Sequence, residues 1–354
     1  MKIIAWNICG LRKPQAVPEI KFLIKSQKLD ILSLLETLVD DANSKKILPS
    51  LGFDDYTYVS PLNHLGGIAA LWNNDKIHVS VLSKDTRSIN LPVFDTYLQK
   101  NSLISYIYGP AQKWEKQQFW TQLHALNSMI DIPWCIIGDL NEIALPEDKI
   151  GGSLLLTNRF QYLPPLITAM NGQSIESLGT PFTWKRKTHT HLIYERLDRA
   201  IARCNWLDLY QEARVLHGCF SCSDHCPITV STTFPPFKQK AFPFRYQNYW
   251  STFQPVTSAI TKSWNLQTRG SFLFRLIRKL KYTKHELKLW TKSHTGNPFK
   301  SLTRNAFKIT EIEEQLYNNP LSTKLKSWMF RLLKQREKFL LFNQKCWGKL
   351  TRKS

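Results

Sequence analysis

The sequence predicts an α/β chain: two packed β-sheets flanked by helices up to residue 234, then a basic, all-helical C-terminal region. Three observations carry that prediction. Short β-branched apolar runs separated by turn residues recur through the first two thirds. After residue 250 the apolar spacing changes to the helical period. Charge is also segregated: residues 1–235 carry 23 Lys and Arg against 22 Asp and Glu, while residues 236–354 carry 25 against 5. The last third therefore holds +20 of a net +21. With 354 residues, 43% of them hydrophobic, the chain can form one large domain plus a smaller region.

In chain order, KIIAW, DILSLLE, GGIAALW, IHVSVL, SLISYIY, WCIIGDL, YERLDRAIA and CPITVST each read as a strand. Between them, PEIKFLIKSQ, KWEKQQFWTQLHALNSMI and TNRFQYLPPLITAM read as helices. Phe119, Leu123 and Leu126 fall on one face of the second, and Pro164 and Pro165 interrupt the third. TTFPPFKQKAFPF (Thr232–Phe244) has little capacity for a core and predicts a linker over 235–250. In 251–354 three apolar stripes follow: Leu273, Leu276, Ile277, Leu280, Leu287 and Trp290; then Leu302, Ala306, Ile309, Ile312 and Leu316; then Leu325, Trp328, Leu332, Phe339 and Trp347. No internal repeat is present.

The basic block carries five of the twelve Trp, a composition suited to polyanions such as DNA or RNA. Arg275, Arg278, Lys279 and Lys281 are its candidate contacts. Solvated helix faces, or a membrane-surface helix, would produce the same charge run. Seven scattered cysteines (Cys9, Cys135, Cys204, Cys219, Cys222, Cys226, Cys346) argue against a disulfide framework or a disulfide-linked partner. The start MKIIAWNICG has too short an apolar core for a signal peptide, and no apolar run approaches the roughly 20 residues that span a bilayer. The expected setting is a reducing intracellular compartment, the nucleus first and the cytoplasm second.

GCFSCSDHCPITV (Gly218–Val230) poses the functional question, with three cysteines, an Asp and a His close together. A structural zinc site needs ligand pairs separated by a longer loop. Read as a strand, this segment alternates its side chains between two faces and could not bring four ligands together. The cysteines then read as small buried apolar residues.

The alternative is a hydrolytic site assembled from strand ends. WCIIGDLNE is an apolar run ending in Asp139 and Asn141, DILSLLE ends in Glu36, AWNICGL ends its strand in Asn7, and YERLDRAIA carries Asp198. Each acid alone is more often a turn former or helix cap. Together with Asp224 they make four carboxylates on separate strand ends. If these converge, a cation or an imidazolium must compensate them, and oxygen donors suit Mg²⁺.

Asn7, Glu36, YGP at Tyr108–Pro110, GDLN at 138–141, RLDR at 196–199 and SDHCPI at 223–228 resemble, in the same order, the motifs of the endonuclease/exonuclease/phosphatase family. GGIAALW, FTWKR and ERLDRAI…W are similar to the endonuclease domain of LINE-type (non-LTR) retrotransposon polyproteins, especially those of plants. FPFRYQNYW and the basic helices after it resemble the connector toward the reverse transcriptase in such elements. The resemblance implies a four-layer sandwich of two mixed sheets and a Mg²⁺-dependent enzyme, with Mn²⁺ a possible substitute, that nicks DNA and leaves a 3′-hydroxyl.

It also implies roles. Glu36 would be the principal metal ligand with Asn7 beside it, and Asp224 a further metal or electrostatic residue. Asp139 would orient and deprotonate the attacking water, and Asn141 would hold phosphate or metal. Asp198 would fix a charged His225 toward the phosphate, Tyr108 would contact the phosphate, and Thr183 and Ser223 would assist at the scissile group. Family members differ over whether the residue at Asp139 or at His225 is the base. Leu38 stands where a basic residue is common, which bears on phosphate or strand contacts. No reverse-transcriptase motif such as Y-x-D-D follows, so the chain reads as a fragment of a longer element or a relic. The rival readings are an abasic-site repair nuclease, a phosphatase or RNA exonuclease, and an inert nucleic-acid-binding relic.

Overall fold

The computed structural model describes residues 1–62, 66–152, 160–187, 192–233, 246, 250–251, 253–290 and 298–347. Most of the expected linker 235–250, the start of the third expected helix and the last residues of the tail lie outside them. Strands run in chain order as β1 (Lys2–Asn7), β2 (Ile31–Leu35), β3 (Asp55–Val59), β4 (Ile68–Trp72), β5 (Ile77–Val79), β6 (Ser83–Lys84), β7 (Ser88–Asp95), β8 (Lys100–Tyr108) and β9 (Trp134–Asp139). They continue as β10 (Lys149–Ile150), β11 (Gly172–Ser174), β12 (Ser177–Leu178), β13 (Trp184–Lys187), β14 (Leu192–Glu195), β15 (Asp198–Arg203), β16 (Arg214–His217) and β17 (Ile228–Ser231). The helices are α1 (Ala16–Gln27), α2 (Asp41–Ile47), α3 (Lys113–Met129), α4 (Leu163–Ala169), α5 (Cys204–Leu209), α6 (Gln254–Trp264), α7 (Phe272–Trp290), α8 (Pro298–Asn318) and α9 (Thr323–Trp347).

Two mixed sheets pack face to face. One is ordered β12-β16-β17-β1-β2-β4-β3, and the other β11-β15-β9-β8-β7-β5, with β6 also on β7. Their inner faces meet in one buried cluster that includes Ile3, Ala5, Ile68, Leu91, Ile104, Tyr106, Ile137 and Val230. The outer face of the first sheet buries Ile4, Trp6, Leu32 and Leu34 against Ile20 and Leu23 of α1. The outer face of the second buries Leu103, Trp134 and Ile136 against Phe119, Trp120 and Leu123 of α3 and Leu166 of α4. The alternation along β1 and β9 thus feeds two cores at once, which is why these runs read as continuously apolar. The predicted four-layer sandwich is the fold.

Several boundaries differ from the sequence reading. The run YERLDRAIA is two strands, β14 and β15, broken at Arg196 and Leu197. The cysteine-rich segment is an irregular loop up to β17, with a single bridge from His225 to Trp184. β7 escaped notice because SINLPVFD contains Pro92. The chain tolerates this proline because the carbonyl of Pro92, and with it the ring nitrogen, faces the gap between β5 and β6, where no ladder donor is required.

One compact unit comprises residues 1–234 together with 306–333, so part of the tail joins the sandwich. There Ile309, Ile312 and Leu316 of α8 and Met329 of α9 form a buried cluster. The second unit comprises 235–305 and 334–354. Its core is Trp250, Val256, Leu287 and Trp290. On α7 the expected stripe is buried only at Leu287 and Trp290, while Leu273, Ile277 and Leu280 are exposed. On α9 the buried face is turned by about one position from the expected one: Met329, Arg336 and Leu340 are buried and Trp328 is exposed. Among the described residues no helix is long and apolar enough to cross a membrane.

Candidate active site

Strand register assembles the site at one end of the two sheets. Tyr108 of β8 lies beside Asp139 of β9 in a parallel pair. Asp139 lies opposite Asp198 of β15 in an antiparallel pair. In the other sheet, Asn7 at the end of β1 pairs with Leu35 of β2, so Glu36 follows immediately. The loop entering β17, which pairs with β1, brings in Asp224 and His225. Gly138 permits the close approach of β8 and β9: a Cβ there would fall 2.1 Å from the carbonyl oxygen of Ile107, and its φ is +146°.

The side chains form one connected chain of bonds. His225 Nδ1 lies 2.8 Å from Asp198 Oδ2, and His225 Nε2 lies 3.7 Å from Asp139 Oδ2. Asn7 donates its amide N–H to Asp139 Oδ2 and to Glu36 Oε1, each at 3.0 Å. Its oxygen accepts from the backbone N–H of Cys9 at 3.2 Å. The backbone N–H of Asn141 donates to Asp139 Oδ1 at 3.0 Å, and its side-chain amide lies 3.3 Å from Asp139 Oδ2. Asn7, Asp139, Asp198 and His225 are buried, whereas Glu36, Tyr108 and Asn141 are half-buried and Asp224 is exposed. Cys9, Glu36, Leu38 and Asn141 all adopt left-handed backbone, a concentration of strain common at functional sites.

Electrostatics divides the labour. Burial pulls the His225 imidazole down, but the charges of Asp198 and Asp139 and the Asp198 hydrogen bond outweigh it and hold the ring well above its ordinary value. Burial, and then the Asp198 charge, push the Asp139 carboxyl up against the pull of His225. The proton therefore resides on the ring, and Asp139 is a carboxylate raised toward neutrality. The Asp224 carboxyl is partly screened from water, which raises it, but the Cys9 thiol, the His225 charge and the Trp184 indole favour its ionised form and hold it low. Burial, and then Glu36, push the Tyr108 phenol far up, so it remains a donor.

Some of the expected residues bond the backbone around the cluster. Thr183 is fully buried, and its hydroxyl accepts the backbone N–H groups of Leu197 and Asp198 at 3.0 and 2.8 Å. Ser223 donates to the Asn7 carbonyl at 2.7 Å and accepts from the His225 N–H at 3.1 Å. Both bond the backbone of the segments that carry Asp198, Asn7 and His225. Asp224 accepts from the Cys9 thiol at 2.9 Å and the Trp184 indole at 3.0 Å. Arg275, Arg278, Lys279 and Lys281 lie on α7 in the second unit; Arg275, Arg278 and Lys281 are exposed.

Other contributors went unpredicted. Arg87 lies over the Tyr108 ring at 5.2 Å and pairs with Glu115. Lys116 bonds the Asn141 carbonyl at 2.8 Å and Glu142 at 2.6 Å. Trp184, within the quoted FTWKR run, was readable as an aromatic next to a motif position. Arg87 and Lys116 carry no such signal.

Among the described residues no cysteine belongs to a cluster of His, Cys, Asp or Glu that could hold a metal ion. Cys226 is in the core, Cys222 packs near α1, and Cys219 packs on the α8–α9 cluster. Among the described residues, Asp139, Asp198 and His225 are the group whose ligand atoms lie within 4.8 Å of one another. A protonated ring cannot ligate, so that trio reads better as a proton-holding relay. The donor that fits a cation is the half-buried Glu36 carboxylate, which the Asn7 amide ties to Asp139. The Asn7 amide donates to both carboxylates, and oxygen donors match a hard divalent ion.

Among known structures, the endonuclease domain of TRAS1, a telomere-specific non-LTR retrotransposon, is 14% identical, with a TM-score of 0.49 over 65% of this chain and 96% of its own. The AP endonuclease LMAP from Leishmania major is 17% identical, with a TM-score of 0.48 over 65% of this chain and 86% of its own. The 3′-5′ exonuclease NExo from Neisseria meningitidis is 17% identical, with a TM-score of 0.48 over 65% of this chain and 99% of its own. No curated protein matches the chain. The sequence model of the Endonuclease/Exonuclease/phosphatase family matches residues 4–225, a span that runs from β1 to His225. The chain belongs to the Endonuclease/Exonuclease/phosphatase family.

Proposed function

We propose that the protein is a Mg²⁺-dependent phosphodiesterase that nicks DNA, the activity of the LINE-type endonucleases whose motif phrases its sequence resembles. The observation that carries this reading is the continuous relay Asp198–His225–Asp139–Asn7–Glu36, with a positively charged ring at one end and an oxygen donor set at the other.

In-line attack on a phosphodiester needs an activated water, neutralisation of charge on the phosphate oxygens, and fixed alignment. Asp139, raised by burial and oriented by Asn141, takes the proton from water. Asp198 holds the His225 imidazolium toward the phosphate. Tyr108, kept protonated and lying under Arg87, donates to a phosphate oxygen. Glu36 with Asn7 beside it would hold Mg²⁺, or Mn²⁺ in its stead, and the bound ion would supply Lewis-acid stabilisation of the developing charge. The exposed basic face of α7 would add sequence-independent contacts to DNA or RNA. An enzyme of this kind works on nuclear DNA, and its tail corresponds to the connector of a longer element.

Supercoiled plasmid with Mg²⁺ tests the reading. Conversion to open circles is expected, and Glu36→Ala or His225→Ala should stop it. A protein that only retards DNA in a gel would instead be a binding relic. Preference for plasmid bearing abasic sites would point to a repair nuclease.

A further inference from the structure

We propose that Glu313, on tail helix α8, is a positioning residue for the Asp198–His225 couple. This rests on the hydrolytic reading above.

The link is short. The segment Phe182–Lys185 runs between the two elements that carry the couple. Thr183 accepts from the Asp198 N–H through its hydroxyl at 2.8 Å, and its carbonyl accepts the Cys226 N–H at 2.9 Å. The backbone N–H of Lys185 donates to the Asp224 carbonyl at 3.0 Å. One strap thus fixes both the acid and the imidazole loop.

The outer side of the strap is gripped by α8. Glu313, 1% exposed, pairs through Oε1 with the Lys185 ammonium and accepts through Oε2 from the Tyr194 hydroxyl at 3.1 Å. The same ammonium lies 4.4 Å from the centre of the Phe220 ring, in the loop leading to His225. Tyr317, one turn further along α8, meets Tyr194 edge-on at 4.5 Å and Phe182 at 5.2 Å. Cys219 of the imidazole loop rests on the Ile309, Ile312, Leu316 and Met329 cluster. All of these residues lie in one compact unit.

A carboxylate buried this deeply is costly unless its partners compensate it. Glu313 is one of only five acids in a tail with 25 basic residues, and its charge is directed at the strap. Because Lys185 keeps contact with solvent, removing Glu313 leaves the ammonium hydrated rather than stranded. The variant loses the grip at both contacts, since the buried Tyr194 hydroxyl also loses its acceptor, and its melting curve checks that it folds.

Two measurements on the full chain test this. In Glu313→Ala, hydrogen exchange should quicken roughly tenfold in peptides 182–187 and 223–228 and stay unchanged in 134–139. Nicking kcat should fall roughly tenfold with KM within about twofold, since geometry rather than substrate affinity is lost. Glu313→Gln keeps an acceptor for the Lys185 ammonium and can donate its amide N–H to the Tyr194 hydroxyl oxygen, so it should recover most of kcat. Wild-type exchange in both strap peptides of Glu313→Ala, or wild-type kcat, overturns the proposal. If the wild-type protein fails to nick DNA at all, the hydrolytic reading falls, and exchange at 223–228 still decides whether Glu313 holds the couple.

Discussion

Asp198→Asn isolates the electrostatic half of the site from its geometry. The amide keeps an acceptor for His225 Nδ1 at the same position, 2.8 Å away in the wild type, so alignment survives and the negative charge does not. Both groups are buried, with Asp198 1% and His225 5% exposed. Replacing a charge-assisted hydrogen bond by a neutral one costs about 1–2 kcal/mol. Losing the imidazolium that faces the phosphate adds about as much again. A total of about 3 kcal/mol is roughly a hundredfold in kcat.

A second signature comes from linkage. The imidazole is held above its ordinary value in the folded protein. Its stabilising contribution is therefore fully present below the unfolded value and is lost as pH rises through the folded one. Asp198→Asn should flatten that alkaline loss of thermal stability. Plasmid nicking under saturating Mg²⁺ and melting curves from neutral to alkaline pH supply the assay. A variant within threefold of wild-type kcat, or one with an unchanged alkaline limb, would refute the assignment of Asp198 as the charge that keeps His225 protonated.

Further outcomes follow from other parts of the molecule. Chelation by EDTA should abolish nicking, and Glu36→Gln should raise the Mg²⁺ concentration needed for half-maximal rate by roughly 10–100-fold while leaving melting temperature within a few degrees. His217 is held down from 6.5 to about 4 by burial, so unfolded chains take up its proton first as pH falls from 6.5 toward 4. At about 1.4 kcal/mol per pH unit, acid should remove about 3 kcal/mol of stability, and His217→Gln should lessen that loss in pH-dependent denaturant melts. Replacing Arg275, Arg278, Lys279 and Lys281 by Gln should lower the slope of log affinity against log salt by about 3. An unchanged slope would identify α7 as a solvated or protein-facing surface.

The acids and amides of the candidate site were legible in the sequence because they sit at strand ends. An apolar run that closes on an acid or amide marks both the strand and the edge at which the residue emerges, as at Asn7, Glu36 and Asp139. Asp198 was legible in type, although its strand begins at the acid rather than enclosing it. The cysteine loop was misread as a strand because apolar and polar residues happened to alternate there. In the folded chain the Asp224 carbonyl accepts from Lys185 of β13, the Cys226 N–H donates to Thr183, and the Pro227 carbonyl accepts from Gly218, in place of a ladder of its own.

Composition and periodicity by themselves determined that the chain has a β-rich, near-neutral part and a basic helical part, and which acids and amides close apolar runs; the motif resemblance supplied the roles. Both are local properties, written in neighbours two to four positions apart. Tertiary structure alone decided that Asp139 stands opposite Asp198. It also decided that Thr183 and Ser223 bond the backbone around Asp198, Asn7 and His225, that half of α7 exposes its apolar stripe, and that Glu313 packs in the unit that holds the candidate site. These are contacts between residues tens to hundreds of positions apart. They are set by how pleated sheets pair and by which helix fills the remaining apolar surface, and a single strand or helix pattern holds no record of its distant partner.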